Sequence, residues 1–138
     1  GVVAGGGTAL AQIAPVLDDL LAESRGDVAE GVTLVRAVLA RPLAQIAGNA
    51  GEDPDAVVKR VTAAAPGEGY DAATGAFGSL FEAGVVDPVR VTCAALENAC
   101  SVAMLILTTD TLIGDLEEHE DPTEGPARGG GAELLGRA

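Results

Sequence analysis

Several prolines stand at the starts of apolar segments that have helical periodicity, and this feature most constrains the fold that the chain can adopt. Asp53-Pro54 and Asp87-Pro88 each precede such a segment, and Pro42 opens a third. Proline is favoured at the first position of a helix because its missing N–H would be unpaired there in any case. Apolar residues then recur three and four positions apart, the period of one helix face. A further proline, Pro15, is predicted to kink the first helix. The sequence therefore predicts a mainly α-helical fold.

Short β segments are predicted at both ends of this helical region. Residues 1–4 form an apolar run that is broken by three glycines, and residues 109–116 contain β-branched residues that favour a strand. Residues 66–78 carry four glycines and are predicted to be a loop, with a short helix around residues 79–83. From residue 117 to residue 138, charge and glycine dominate, which predicts a disordered tail.

The segment from residue 88 to residue 107 is predicted to be the longest and the central helix, because it is apolar nearly all round. Its two cysteines, Cys93 and Cys100, lie seven positions apart, or roughly 10 Å along a helix. That separation is too large for a disulfide within the chain. We therefore predict two buried, reduced thiols in a cytosolic protein.

Composition excludes several classes of function. The net charge of -13 repels phosphate backbones, and the chain has no Trp and only 2% aromatic residues, which excludes nucleic-acid binding. No apolar run reaches the ~20 residues of a membrane span. The single His119 lies among acids, and no nucleophile–base pair or metal cluster is evident. Because residue 1 is Gly and the only methionine is Met104, we expect a piece of a longer protein.

Three segments are candidate binding elements, each with a simpler structural interpretation. The Gly5-Gly6-Gly7 turn precedes a helix, as in anion-binding loops, but it lacks the P-loop Lys and the last glycine of G-x-G-x-x-G. On its own, this segment is better explained by close packing in a tight turn. Asp71-Ala72-Ala73 could border a flat ring or be a surface loop. Asp87 is predicted first as a helix cap, and its carboxylate could also hold a pair of ribose hydroxyls.

Several motifs occur together in the order of a known family. They are GVVAGGGTAL at residues 1–10, RPLAQIAGNAG at 41–51, GYDAATG at 69–75, GVVDPVRVT at 84–92, and AALENACSVA at 94–103 followed by Thr108-Thr109. This collinear set resembles the group I chaperonins, the GroEL family, over residues 1–116. The Thr108-Thr109 and Asp87-Pro88 pairs favour group I over the archaeal and eukaryotic cytosolic chaperonins.

The resemblance implies that residues 1–116 are the C-terminal portion of a chaperonin equatorial domain, which is mainly helical, binds ATP and forms ring contacts. It also implies roles in the nucleotide pocket for six residues. These are Gly6 beside the ribose, Asp71, Ala72 and Ala73 along the adenine, Val85 over the base, and Asp87 at the ribose hydroxyls. Asp87 could hold the sugar and cap the helix at the same time.

The resemblance further implies a cytoplasmic, homo-oligomeric ring that uses ATP with Mg and K ions to assist the folding of unfolded proteins, together with a co-chaperonin. The family's phosphate-binding loop, its catalytic Asp and its substrate-binding domain would all lie upstream of residue 1. We therefore expect that this chain alone does not hydrolyse ATP and holds neither the phosphates nor the metal ions.

Two departures from the family pattern stand out. Asp71 replaces the usual Asn, which removes an amide donor and adds a charge, and the tail lacks the usual Gly-Gly-Met repeats. A different class of function also stays open, namely a stand-alone helical oligomerisation or interaction module that binds no ligand. The two hypotheses differ in whether the reading frame continues upstream of Gly1.

Overall fold

The computed structural model describes residues 1–111 and 113–114, and within them it confirms a mainly α-helical fold. Short strands accompany the helices. In chain order the elements are β1 (Val2–Ala4), α1 (Thr8–Ile13), α2 (Val16–Glu23), α3 (Asp27–Val38), α4 (Arg41–Asn49), α5 (Pro54–Thr62), β2 (Glu68–Asp71), β3 (Ala76–Ser79), β4 (Val86–Pro88) and α6 (Val89–Leu107).

Pro54 begins a helix as predicted, whereas Pro15, predicted to kink the first helix, instead divides it into two. Pro15 separates α1 from α2, because a helix cannot continue through a residue that lacks an N–H and clashes with the preceding turn. Pro54 is the first residue of α5, and Asp53 caps that helix. The Oδ1 atom of Asp53 accepts hydrogen bonds from the N–H groups of Asp55 at 3.0 Å and Ala56 at 3.5 Å.

The buried core lies where α1, α4 and α5 meet the first strand of a hairpin. Its buried members are Ala11, Leu43, Ala47, Val57, Val61 and Tyr70. The Tyr70 ring packs on Phe77 with a centroid separation of 5.1 Å, and the Arg60 guanidinium lies 3.7 Å from the Phe77 ring centroid. These contacts join the helices to the hairpin and pack one side of it on the core.

The described part of the chain contains two separate pairs of antiparallel strands. In the first, β1 pairs with β4, so that Val3 lies opposite Asp87. In the second, β2 and β3 form a hairpin in which Tyr70 lies opposite Phe77. This hairpin occupies the segment predicted to be a loop, and residues 80–84, where most of a short helix was predicted, form turns instead.

The prediction that α6 is the central helix is wrong. It packs chiefly against β4, and none of its residues is buried by the described part of the chain. Val91 is 62% exposed and Val102 is 55% exposed. The all-round apolar pattern correctly indicates a helix suited to burial, but periodicity does not say which residues cover it.

The same exposure corrects two further predictions. Cys93 and Cys100 are free thiols, as predicted, but both are exposed rather than buried because they lie on α6. Among residues 109–111, 113 and 114, none belongs to a strand, and the other positions of the predicted strand at 109–116 lie outside the described residues. The predicted tail from residue 117 and His119 lie outside them as well.

By length and composition alone, α6 could also cross a membrane. No sequence run had suggested a span, because Arg90 and Glu97 interrupt the apolar residues. A single helix of this kind is weak evidence for a membrane protein, since the core helix of a soluble domain meets the same criteria.

Candidate functional site

The glycine turn between β1 and α1 lies directly against the segment that leads into β4. The Gly5 N–H donates a hydrogen bond to the Val85 carbonyl at 3.0 Å. A Cβ atom on Gly5 would lie 3.1 Å from that carbonyl oxygen. Gly6 and Gly7 have φ angles of 62° and 76°, in the region that favours glycine. Glycine at these positions therefore lets the turn form without backbone strain and approach Val85 closely.

The β2–β3 hairpin meets the same turn from another direction. A Cβ atom on Gly6 would lie 3.7 Å from the carbonyl oxygen of Tyr70, the residue before Asp71. Gly69 lies against Thr8 and Leu80 so closely that its Cβ would be 2.6 Å from a Leu80 methyl carbon. The hairpin is thus seated on the first turn of α1, next to the glycine turn.

The structure therefore brings three distant predicted segments to one face. Gly6 lies beside the backbone that carries Asp71, and the neighbouring Gly5 contacts Val85. Two residues beyond Val85, Asp87 lies in β4, opposite Val3. No sequence pattern had indicated that these segments meet, apart from the family resemblance.

Asp87 is not a helix cap, which corrects one of its two predicted roles. Its backbone is extended in β4, Pro88 occupies the N-cap position of α6, and that helix has no side-chain cap. Asp87 is half-buried, and no hydrogen bond joins its carboxylate to the part of the chain that the structure describes.

The Asp71 carboxylate, by contrast, is held by its own loop. It accepts hydrogen bonds from the Thr74 hydroxyl at 2.8 Å and from the Ala73 N–H at 2.9 Å. These two bonds, the Thr74 bond first, lower the pKa of Asp71 because they favour the charged form. Ala72 and Ala73 are exposed at the tip of the hairpin. The loop can therefore offer backbone groups and a small-residue surface to a ligand, while the Asp71 side chain maintains the loop.

The cavity that contains Asp71 is separate from the other predicted residues. It has a volume of about 390 Å³ and is lined mainly by β3 and the turn after it. Gly6, Val85 and Asp87 do not line it. Over residues 1–111 and 113–114, no three His, Cys, Asp or Glu side chains are grouped as metal ligands. The glycine turn thus contacts the hairpin and the segment before β4 outside this cavity.

Comparison with known proteins identifies the family. The sequence profile of the TCP-1/cpn60 chaperonin family matches residues 1–116. The chain belongs to this chaperonin family. It is 57% identical over its full 138 residues to chaperonin GroEL 4 of Bradyrhizobium diazoefficiens, and 55% identical over 113 residues, 82% of the chain, to chaperonin GroEL 3 of Frankia casuarinae. The predicted membership of the group I chaperonins is thereby confirmed.

The chaperonin chain spans about a quarter of the length of these relatives, 25% of the first and 20% of the second. Its fold is similar to a solved structure described as the open state monomer of a group II chaperonin from Methanococcoides burtonii. The TM-score is 0.73 at 23% identity, over 78% of this chain and 28% of that one. This likeness supports the chaperonin fold of the described residues.

Sequence reasoning missed two residues of α1 that hold this face together. Thr8 is fully buried beneath Gly69, and Gln12 forms hydrogen bonds to the connection between α5 and β2. The signal was available in principle, because a Thr and a Gln four positions apart share one face of an otherwise apolar helix. Their partners are 49 or more residues away in the sequence, however, and no local pattern predicts them.

The lowered pKa of Asp71 gives a test of the hairpin loop. Replacing Thr74 with alanine is expected to raise the pKa of Asp71 toward its ordinary value, because the larger of its two stabilising hydrogen bonds is lost. A group with a depressed pKa contributes stability above its ordinary pKa, and that contribution disappears as the pH falls through the folded-state value. NMR titration of the Asp71 carboxyl carbon measures the shift. An unchanged pKa in the Thr74→Ala variant would contradict this account.

Proposed function

We propose that residues 1–116 act as the C-terminal portion of a chaperonin equatorial domain and supply the base and ribose side of an ATP site. In this proposal the chain is part of a cytoplasmic group I chaperonin that assists the folding of unfolded proteins in an ATP-dependent cycle. It also contributes contacts between the subunits of a homo-oligomeric ring. The proposal extends family membership to an activity, and it assigns that activity to particular residues.

The observation that carries the proposal is the convergence of the glycine turn, the hairpin and the segment from Val85 to Asp87. Gly5 and Val85 are joined by a backbone hydrogen bond, and the adjacent Gly6 lies beside the Tyr70 carbonyl, so this backbone can approach a sugar and a flat base. Asp87 supplies a carboxylate without a partner among the described residues, and paired ribose hydroxyls are suitable donors to it. Ala72 and Ala73 extend the face along the adenine, while Asp71 holds their loop in shape.

The described residues fit only this half of a nucleotide. Charge stabilisation at the phosphates supplies most of the rate in phosphoryl transfer, and it needs cationic side chains, backbone N–H groups or metal ions. The family resemblance assigns the phosphate loop, the catalytic Asp and the sites for Mg and K ions to sequence upstream of residue 1. We therefore propose that this chain binds adenine nucleotide weakly and that hydrolysis requires those upstream residues.

Nucleotide titration of the purified chain tests the proposal. MgADP is expected to perturb the NMR signals of Gly6, Ala72, Ala73 and Val85 at millimolar concentration. The Asp87→Ala variant should bind at least ~10-fold more weakly, because a hydrogen bond to a charged group contributes about 1.5–3 kcal/mol. Asp19→Ala is the matched control, since Asp19 is an exposed acid on α2, a helix that packs chiefly against α3.

Two outcomes would overturn the proposal. One is the absence of any nucleotide-dependent shift at these four residues. The other is steady ATP turnover by this chain alone, at a rate that Asp87→Ala abolishes, because the chain would then carry its own catalytic machinery. Equal binding by the Asp87→Ala and Asp19→Ala variants would remove Asp87 from the site while leaving the rest of the face in place.

The exposed α6 favours one alternative, a stand-alone oligomerisation module without a ligand. Its apolar surface is available for contact with other chains. The two functions are distinguished by the gene as well as by the titration. A reading frame that continues upstream of Gly1 into a phosphate-binding loop supports the chaperonin function, and a reading frame that begins near Gly1 supports the module.

A further inference from the structure

The side-chain amide of Gln12 connects α1 to the segment that starts the hairpin. The two hydrogens of its Nε2 group serve three carbonyl oxygens, one hydrogen being shared: Val61 at 3.2 Å, Ala65 at 3.1 Å and Glu68 at 3.0 Å from the nitrogen. Its Oε1 atom accepts a hydrogen bond from the Gly67 N–H at 3.1 Å. One side chain thus contacts four backbone groups between the end of α5 and the start of β2.

The segment that Gln12 holds is a tight turn. The Glu68 N–H donates to the Ala65 carbonyl at 3.0 Å, and Gly67 has a φ of 87°. With Pro66 before Gly67, this is the arrangement of a type II turn. The Gly67 carbonyl in turn accepts a hydrogen bond from the Leu80 N–H at 3.1 Å, so the turn is also the base of the hairpin.

Gln12 and Thr8 lie one helical turn apart on α1 and contact the hairpin in different ways. Thr8 packs against Gly69, where no Cβ atom could fit. Packing of this kind limits how closely the hairpin approaches α1, but it fixes neither the orientation of the hairpin nor its position along α1. The hydrogen bonds of Gln12 are directional and therefore fix both.

We propose that Gln12 is a positioning residue that sets the hairpin, and with it Asp71, Ala72 and Ala73, at a fixed distance from the glycine turn. Because α1 begins directly after that turn, the hydrogen bonds of Gln12 hold the hairpin in a fixed position relative to Gly6. In the proposed nucleotide site, Gln12 sets the distance between residues 71–73, which border the base, and Gly6, which lies beside the ribose. This last step rests on the function proposed above, whereas the structural role does not.

Two variants of the full 138-residue chain separate hydrogen bonding from packing. Gln12→Met keeps the length and apolar stem of the side chain and removes its polar contacts, while Gln12→Ala removes both. Gln45→Ala is the matched control, because among the described residues that glutamine donates its side-chain hydrogen bond to Asn49, within α4, and to no part of the hairpin. Hydrogen exchange at the Gly67 and Leu80 amides reports on the hairpin, and exchange at the Val57 amide reports on α5, where it donates to the Asp53 carbonyl.

The proposal predicts about tenfold faster exchange at Gly67 and Leu80 in both Gln12 variants, with little change at Val57 and none from Gln45→Ala. Full protection in Gln12→Met would overturn it, because packing alone would then suffice. Equal loss at all three amides would also overturn it, since that pattern indicates general destabilisation.

Nucleotide binding separates this inference from the function on which it partly rests. Both Gln12 variants are expected to raise the dissociation constant for MgADP several-fold and to leave ATP turnover absent. Faster hairpin exchange with unchanged MgADP affinity would overturn the step from the hairpin to the nucleotide site. If the unmodified chain bound no MgADP at all, the proposed function would fail, while the exchange pattern would still support Gln12 as the residue that fixes the hairpin.

Discussion

Replacing Gly7 with alanine is expected to destabilise the fold by about 3–5 kcal/mol. The new Cβ atom would lie 2.6 Å from the backbone nitrogen of Leu43 and 3.0 Å from its Cα atom, so α1 and α4 could not keep their present distance. The φ of 76° adds a further cost for any residue other than glycine. Leu43 is fully buried in the core, and its displacement would disturb the packing of α4 on α5.

Gly51→Ala is the matched control for this substitution. Gly51 has a φ of 84°, and a Cβ atom there would meet nothing within 4 Å. Its replacement should therefore cost only the conformational penalty of about 1–2 kcal/mol. Urea unfolding of both variants measures the difference, which isolates the close approach of the glycine turn to α4. Equal destabilisation by the two substitutions would show that the close approach to Leu43 does not affect the free energy of unfolding.

Local signals in the sequence predicted local structure well. Pro15 ends a helix, Pro54 begins one and Asp53 caps it, because each effect depends on a few adjacent backbone groups. Asp87-Pro88 has the same two letters as Asp53-Pro54, yet Asp87 lies in a strand. The pairing of β4 with β1 decides its conformation, and that pairing joins residues more than 80 positions apart.

The β2–β3 hairpin was not predicted from the sequence because it is rich in glycine. Gly69, Gly75 and Gly78 remove the alternating pattern by which a strand is usually predicted, and only Tyr70 and Phe77 mark its apolar side. Gly69 is nevertheless required in β2, because Thr8 and Leu80 occupy the space of its side chain. The distant contact therefore requires a glycine at position 69, and that glycine weakens the alternating pattern by which β2 could have been predicted.

The candidate site could be predicted only through the family resemblance. Each of its segments has an adequate local interpretation as a tight turn, a surface loop or a helix start, and those interpretations do not require them to meet. The structure brings them together through the core under the hairpin and through the ladder between β1 and β4. Tertiary contacts of this kind leave no periodic trace in a single sequence.

The chain is expected to self-associate at high micromolar concentration, through α6 and the strand edges. Val102 and Ile106, which are 55% and 70% exposed, lie one turn apart on a helix that the described residues leave uncovered. The two-stranded pairs β1–β4 and β2–β3 also leave backbone edges that can pair with another chain. The net charge of -13 opposes association, but salt screens that repulsion over ~10 Å, whereas apolar and edge contacts act at touching distance.

Light scattering at several protein concentrations and moderate salt tests this expectation. Substituting both Val102 and Ile106 with Glu should reduce the association strongly, because charges would then have to be desolvated in the contact. The control substitutes Val16 and Val28 on α2 and α3, which are 72% and 64% exposed, and it adds the same two charges. Equal loss in both double variants would indicate repulsion by charge alone. A monomer at high micromolar concentration would show that α6 remains uncovered in solution without recruiting a second chain.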